Sequence, residues 1–360
     1  MSGVRKGAIV GFGNVAANGH LPGWRARSDF HIVAVVEPDP ERRTIARQAL
    51  PEARLYGSVA DLLQTEPLDF VDIATPPAWH ASAIGVAAQH GVHVLCEKPL
   101  TTKLDDYRAV ASAVRERGVV LHTVHNWKYA EAFQRVQRSL ADGYIGRLRS
   151  MTFETERNGC AVATGENWRI RPSIAGGGIL VDHGWHVFYL MAALAGERPV
   201  RVGAHLEQRR FTDVELEDTA HCVVEFPSCR AEVKLTWAAP ARRTRWELVG
   251  TKGRLVVDDD RLILESDSAR SEERLATALS AGSHHPDWFA GVIESFRGEL
   301  NDPAARGTNL AEAELCLLLL TLAYASSAEG ARPLDVPVDP LWSSEGSPSD
   351  RRAHSAPHGG

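Results

Sequence analysis

The chain has 360 residues, 44% of them hydrophobic, and a formal net charge of -6. That length exceeds the ~250–300 residues at which a single core stops growing, so two domains are the starting expectation. The negative balance supplies no basic field for nucleic acid, and a small-molecule ligand fits the composition better. The first residues carry too short an apolar run for a secretory signal. The longest apolar stretch, 315–325, is shorter than the ~20 residues of a membrane span. The expectation is a soluble cytoplasmic protein with no membrane partner. Five scattered cysteines form no Cys-x-x-Cys pair. Cys222 and Cys229 flank an expected hairpin turn at Pro227-Ser228 in which Phe226 faces Cys229, which leaves the two thiols out of register and beyond disulfide reach.

In chain order, residues 7–13 read as a short buried strand running into Gly11-Phe12-Gly13-Asn14-Val15-Ala16, a G-x-G-x-x-A pattern. Its first glycine permits a tight turn, the second lets backbone approach a pyrophosphate, and the small third residue lets helix and strand pack closely. The following helix offers unpaired N–H groups and the positive end of its dipole to phosphate. A second strand, 30–36, ends at Glu37. It lies ~20 residues beyond the pattern, where an acid accepts bonds from the adenosine ribose hydroxyls. A carboxylate there repels a 2′-phosphate and favours NAD over NADP; Arg42 and Arg43 follow closely enough to serve a 2′-phosphate instead.

The alternation continues with helix 40–50, strand 53–56, helix 58–64, strand 70–74, helix 81–90, strand 93–96, helix 104–117 and strand 119–124. Strands separated by helices imply a parallel sheet with right-handed crossovers, whose carboxyl ends share one ligand-binding edge. Thr75-Pro76-Pro77-Ala78-Trp79-His80 leaves a central strand at that edge, and Glu97-Lys98-Pro99-Leu100 leaves its neighbour. Proline restricts Lys98 to extended backbone and fixes its direction, with a cis Lys98–Pro99 bond as one option. A lysine so placed is aimed at a ligand; a plain surface lysine is the alternative.

Residues 176–186, Gly-Gly-Gly-Ile-Leu-Val-Asp-His-Gly-Trp-His, read as a glycine run entering a helix. Asp182 and His186 then stand one turn apart on one face, close enough to act on one bound molecule. The bare glycine backbone suits close approach by a ligand. A buried helix with its polar residues satisfied in the core is the competing reading. Together, Gly11-Phe12-Gly13-x-x-Ala16, Thr75-Pro76-Pro77-x-x-His80, Cys96-Glu97-Lys98-Pro99 and Gly176-Gly177-Gly178-x-x-x-Asp182-x-Gly184-x-His186 resemble the Gfo/Idh/MocA oxidoreductases, relatives of glucose-fructose oxidoreductase and inositol 2-dehydrogenase. The resemblance spans about residues 5–330. It implies an α/β Rossmann domain with a doubly wound parallel sheet over 1–125, then an α+β domain on a large open mixed β-sheet over 126–340. The family's catalytic lysine, aspartate and histidine fall on Lys98, Asp182 and His186. Its cofactor contacts fall on Gly11, Phe12, Gly13, Asn14, Val15, Ala16, Glu37, Thr75, Pro76, His80, Glu97 and Lys98. It implies no metal, despite the crowding of Asp182, His183 and His186.

In the second half, His125-Asn126-Trp127-Lys128-Tyr129 crosses between the domains where the family often carries Asn-x-Arg. Lys128 keeps the cation and loses the bidentate fork; Asn126 and Lys128 are both substrate-side candidates. A helix 133–142 and a strand 148–157 open the second unit, followed by strands 201–211, 219–226, 230–238, 244–249 and 253–257. Their alternation, as in Ala231-Glu232-Val233-Lys234-Leu235, sends one face to the core. By resemblance the sheet stacks on a copy of itself, giving a homodimer or homotetramer. Asn167-Trp168-Arg169-Ile170-Arg171 resembles the family's substrate loop, with Arg169 and Arg171 able to bind an anionic part of the substrate. Tyr189 stands where relatives often carry an acid. His284-His285 lies in a polar loop read as exposed, helices 287–300 and 309–327 close the domain, and the Ser-, Pro-, Gly- and Arg-rich tail 343–360 is expected to be disordered.

The expected chemistry is NAD(P)-dependent hydride transfer between nicotinamide and a secondary alcohol or ketone of a sugar, nucleotide sugar or cyclitol. His186 is the general base, Lys98 a donor to the same oxygen, and Asp182 orients the substrate or holds the histidine. A non-catalytic dinucleotide-binding regulator is the rival from another class, and a reductase lacking the relay is a third. Neither needs Lys98, Asp182 and His186 together. Arginines at 169, 171, 242, 243 and 245 leave room for a UDP- or dTDP-sugar.

Overall fold

The apolar run that opens the sequence forms β1 (Arg5–Val10), whose last four residues are buried, in a computed structural model of the protein that describes residues 3–160, 167–266, 269–282 and 284–338. A π-helical turn at Ala16–His20 leads into α1 (Leu21–Arg25), and β2 (Phe30–Val36) follows. Next come α2 (Pro40–Ala49), β3 (Arg54–Tyr56), α3 (Val59–Thr65), β4 (Phe70–Ile73), α4 (His80–Gln89), β5 (His93–Cys96), α5 (Leu104–Arg117) and β6 (Leu121–Thr123). Asp39 and Ser58 cap α2 and α3 by accepting from the N–H groups of Arg42 and Asp61. All six strands pair in parallel in the order β3-β2-β1-β4-β5-β6, the doubly wound arrangement expected. The order reverses beside β1, so the glycine turn after β1 and the turns after β4 and β5 share one edge.

The chain then forms α6 (Glu131–Ala141), β7 (Leu148–Asn158), α7 (Pro172–Ala175), a π-helical turn at Leu180–Gly184, and α8 (Trp185–Ala195). Seven further strands follow: β8 (Arg201–Glu207), β9 (Thr219–Glu225), β10 (Arg230–Thr236), β11 (Ala238–Gly250), β12 (Gly253–Asp258), β13 (Arg261–Ser266) and β14 (Arg270–Arg274). Helices α9 (Pro286–Asn301) and α10 (Thr308–Ala328) and the short β15 (Leu334–Asp335) complete the described chain. The second sheet has the order β14-β13-β12-β11-β7-β10-β9-β8-β15 and is mixed, with β7 and β10 parallel and its other pairs antiparallel. Its polar face carries ion pairs such as Lys234–Glu232 (3.3 Å) and Arg245–Glu247 (2.7 Å), and its apolar face packs under α8 and α10.

The hairpin register is as expected: the Phe226 N–H donates to the Cys229 carbonyl, Cys222 faces Val233, and both thiols are free. Strand β8 stops four residues before its expected end because the N–H groups of Arg209, Arg210 and Phe211 turn onto the buried carboxylate of Asp218. Strands β13 and β14 were not expected from the sequence. Helix α10 is longer than the apolar run that marks it, and by length and composition it passes for a membrane span. Its placement accounts for the apolarity: it packs on β8 and α8, with Glu314 accepting from the Tyr107 hydroxyl (3.1 Å) and Asn309 bridging to the Thr123 backbone of β6. The tail 343–360 lies outside the described residues.

Candidate active site

One cavity of about 550 Å³ runs from the glycine turn of the first sheet to β7 and β11 of the second. At the first end Gly11 has φ +87°, open to glycine at little cost, and a Cβ there would press on Thr75 at 2.8 Å. A Cβ on Gly13 would meet Arg42 at 2.9 Å. The Glu37 carboxylate accepts from the N–H groups of Phe12 (2.7 Å) and Asp39 (3.0 Å), which ties the strand-end acid to the glycine turn. Thr75 Oγ1 is buried without a partner beside the turn. A bare backbone, the acid and an orphaned hydroxyl on one wall fit a dinucleotide.

Gly11, Gly13, Asn14, Val15, Glu37, Thr75, Pro76, Glu97 and Lys98 line this cavity as expected, but Phe12, Ala16 and His80 do not. Phe12 and Ala16 are core residues. His80 is a clamp rather than a cofactor contact: its ring nitrogens face the Pro99 carbonyl (2.9 Å) and the Thr75 carbonyl (2.8 Å), so it ties the turn after β4 to the turn after β5. Burial lowers its pKa despite those carbonyls. The Lys98–Pro99 bond is cis.

Lys98 leaves β5 and donates from Nζ to the Asp182 carbonyl (2.7 Å) and to Asp182 Oδ1 (3.1 Å). Burial alone would raise the Asp182 pKa, but Lys98, His183 and Arg169 outweigh it and hold the carboxyl well below its usual range. Asp182 lies in the π-helical turn and His186 in the first turn of α8, so the two are carried by a wider turn than the α-helix expected. That irregularity sits where side chains converge on the cavity, as π turns often do at functional sites. Asp182 does not hold the histidine. His186 Nδ1 instead meets the Tyr189 hydroxyl at 2.8 Å, the Tyr189 oxygen also accepts from the Trp127 N–H at 3.2 Å, and the Trp127 ring stacks on the imidazole at 5.1 Å. Burial first, then the charge of Lys98, pushes the His186 pKa well below 6.5, so the imidazole is neutral at pH 7.

Asn126 and Arg169 line the cavity, but Lys128 does not: its Nζ is bonded to Glu312 at 2.5 Å, and Glu312 also meets His125 at 3.2 Å. His284 and His285 are not exposed as expected. Both line the cavity, and His285 is buried in a 3.5 Å stack on Trp288. Burial drives its pKa to about 4. Of the arginines considered for an anionic substrate, Arg169, Arg171 and Arg242 line the cavity, whereas Arg243 and Arg245 pair with Asp258 and Glu247 on the sheet. Sequence reasoning missed Arg157, which sits in an alternating strand like any other polar residue. It also missed His20, whose Nδ1 meets Asp72 (3.0 Å) and whose Nε2 meets Glu97 (3.0 Å). Only the topology brings β4, β5 and the turn after β1 together around that ring.

Residues 5–125 match a family model described as an oxidoreductase family with an NAD-binding Rossmann fold, and residues 133–256 match a GFO/IDH/MocA C-terminal domain. A D-apiose dehydrogenase of Paraburkholderia graminis is 43% identical over 141 residues, which is 39% of this chain and 37% of that protein. A D-apiose dehydrogenase of Rhizobium rhizogenes is 25% identical over 347 residues, 92% of this chain and 97% of that protein. An Agrobacterium radiobacter oxidoreductase solved in complex with NAD+, L-tartaric acid and magnesium has a TM-score of 0.81 at 22% identity, covering 92% of this chain and 98% of that one. With a glycine turn built for a dinucleotide, a lysine from one domain bonded to an aspartate from the other, and both halves matched, the chain belongs to the GFO/IDH/MocA oxidoreductases, with an NAD-binding Rossmann fold as its first domain.

Proposed function

We propose that the protein oxidises a secondary alcohol on a sugar, nucleotide sugar or cyclitol with NAD, or reduces the corresponding ketone. One observation carries the reading: Lys98 reaches across the domain boundary to Asp182, and the pair shares a cavity wall with His186 and the glycine turn. The sugar dehydrogenases among the relatives support the substrate class. Gly11, Gly13, Asn14 and Val15 would hold the pyrophosphate of NAD, Glu37 its adenosine ribose, and Thr75 and Pro76 the wall beyond. When bound, NAD takes up or returns the hydride at the substrate carbon.

His186 takes the hydroxyl proton. In the tautomer a base requires, Nδ1–H donates to the Tyr189 oxygen and the Nε2 lone pair is the one that accepts. Trp127 covers one face of the ring and keeps water off it. The Lys98 ammonium stabilises the developing alkoxide, and its field also keeps His186 neutral and ready to accept. Asp182 fixes the ammonium; it positions the lysine rather than the histidine. Lys98→Ala and His186→Ala are each expected to lower kcat/KM by about 10²–10⁴-fold, with NADH binding retained in a fluorescence titration. Full turnover in either variant overturns the assignment.

A further inference from the structure

Among the described residues, the second sheet sends two N–H donors without an acceptor to the cavity wall: Arg157 Nε and Trp237 Nε1. Both side chains are buried, at 2% and 3% exposure. Arg157 lies near the end of β7 and Trp237 between β10 and β11, so the strand register brings them to the same rim of the second sheet. A third donor, Arg242 of β11, lines the same wall.

The bonds these arginines do make are all to neutral groups. Arg157 donates from Nη1 to the carbonyls of Glu156 (2.8 Å) and Arg243 (3.0 Å) and from Nη2 to Thr244 Oγ1 (3.1 Å). Arg242 donates to the carbonyls of Ser280 (3.1 Å) and Gly282 (2.6 Å). The two acids whose field reaches Arg157 are engaged elsewhere: Asp182 by Lys98, and Asp259 by the N–H groups of Thr244 and Ser280. Two guanidinium groups therefore face one cavity with no carboxylate in ion-pair range among the described residues. Burial first, and then repulsion from Arg242, pulls the Arg157 pKa down to about 10. Leaving a buried cation without a counter-charge costs several kcal/mol, a cost that a bound anion removes.

We propose that the substrate carries an anionic group, a carboxylate or a phosphate, and that Arg157, Trp237 and Arg242 bind it. The inference rests on the sugar-oxidoreductase reading and narrows it to sugars that carry a carboxylate or a phosphate, nucleotide sugars among them. The cofactor's own pyrophosphate does not account for the site. That group belongs at the glycine turn of the first domain, whereas Arg157 and Trp237 belong to the second sheet and Arg157 senses Asp182. Planar guanidinium donors suit either oxyanion, and the indole N–H adds a single directional bond.

The test is calorimetric binding at saturating NADH of matched probes: D-glucose, D-glucuronate and D-glucose 6-phosphate, then D-ribose, D-ribonate and D-ribose 5-phosphate. In at least one set an anionic sugar is expected to bind about tenfold or more tighter than its neutral partner, and which anion wins separates carboxylate from phosphate. Arg242→Gln, at a solvent-facing position that does not threaten folding, and Trp237→Phe, which removes only the indole donor, are each expected to cut that preference by about 5- to 50-fold. Equal binding within every set, or a preference unchanged in both variants, overturns the proposal. Hydride transfer to NAD from none of the six sugars with the anionic preference intact would count against the dehydrogenase reading and leave this one standing. Turnover of neutral sugars without any anionic preference would do the reverse.

Discussion

Tyr189 occupies the position, three residues beyond His186, where an acid was looked for, and its hydroxyl is the group that holds the imidazole. An acid there would raise the histidine pKa by its charge; a phenol orients the ring and leaves it neutral. Tyr189→Phe deletes two buried hydrogen bonds, with the imidazole and from the Trp127 N–H, and loss of the one that orients the imidazole, about 1 kcal/mol, is expected to lower kcat about fivefold with NADH affinity unchanged. An unaltered kcat and an unaltered pH profile would show that the hydroxyl does not position the base. Lys98, Asp182 and His186 were legible as residues because lysine beside proline and an acid-imidazole pair are unusual at strand and helix ends. Their wiring was not. Which group holds which depends on distances of a few tenths of an ångström between two domains, and no spacing rule carries that information.

At the scale of elements, the glycine run is explained by the protein's own chain more than by a ligand. A Cβ on Gly176 would collide with Thr102, one on Gly177 with the Tyr324 hydroxyl, and one on Gly178 with the Glu217 carbonyl. The backbone is pressed there because the Glu217 carboxylate accepts from the N–H groups of Gly178 (3.0 Å) and Leu180 (3.0 Å) and from the Tyr324 hydroxyl (2.8 Å), capping the π turn that carries Asp182. Burial raises the Glu217 pKa, and those three donors oppose it. Gly178→Ala is expected to destabilise the fold by about 3 kcal/mol through overpacking. It is also expected to cut kcat/KM about 10²-fold by displacing the turn; thermal melts and steady-state rates check both. A variant of normal stability and rate would mean that the contact yields freely. The sequence announced a glycine loop before a helix and could not announce Glu217, which lies in a loop after a long connection and becomes a cap only through tertiary contact.

For the whole molecule, a parallel sheet was legible from periodicity and motif and a mixed one from resemblance, while the strand order of the second sheet and the closure of the first domain by α9 were not. Phe289, Val292, Ile293 and Phe296 of α9 pack in one core with Ile9, Phe12, Trp24 and Phe70 of the first domain, and Phe289 stacks on His20 at 4.0 Å. Burial opposes the charge of His20, but Asp72 and Glu97 outweigh it and raise its pKa to about 10. Its contribution to stability is therefore full below pH ~6.5, its unfolded value, and fades as pH rises toward 10. His183 and His285 behave oppositely. Burial lowers them to about 3 and about 4, so the unfolded chain binds more protons below pH ~6.5 and stability falls as the solution is acidified. Denaturant melts across pH 4–10 are expected to peak near neutrality. His20→Gln is expected to cost about 3 kcal/mol near pH 6.5 and to flatten the alkaline limb. An alkaline limb unchanged in that variant would place the titration elsewhere. The central claim is hydride transfer at a carbinol carbon in this cavity, and it is tested most directly with sugars and cyclitols deuterated at each carbinol position. After incubation of the intact chain with NAD and one such substrate, mass spectrometry is expected to find deuterium in the reduced nicotinamide, formed about 10²–10⁴-fold more slowly with Lys98→Ala or His186→Ala. Tight NAD binding with no deuterium transferred from any member of the panel to NAD, and none from deuterated NADH to the corresponding ketones, would contradict the account.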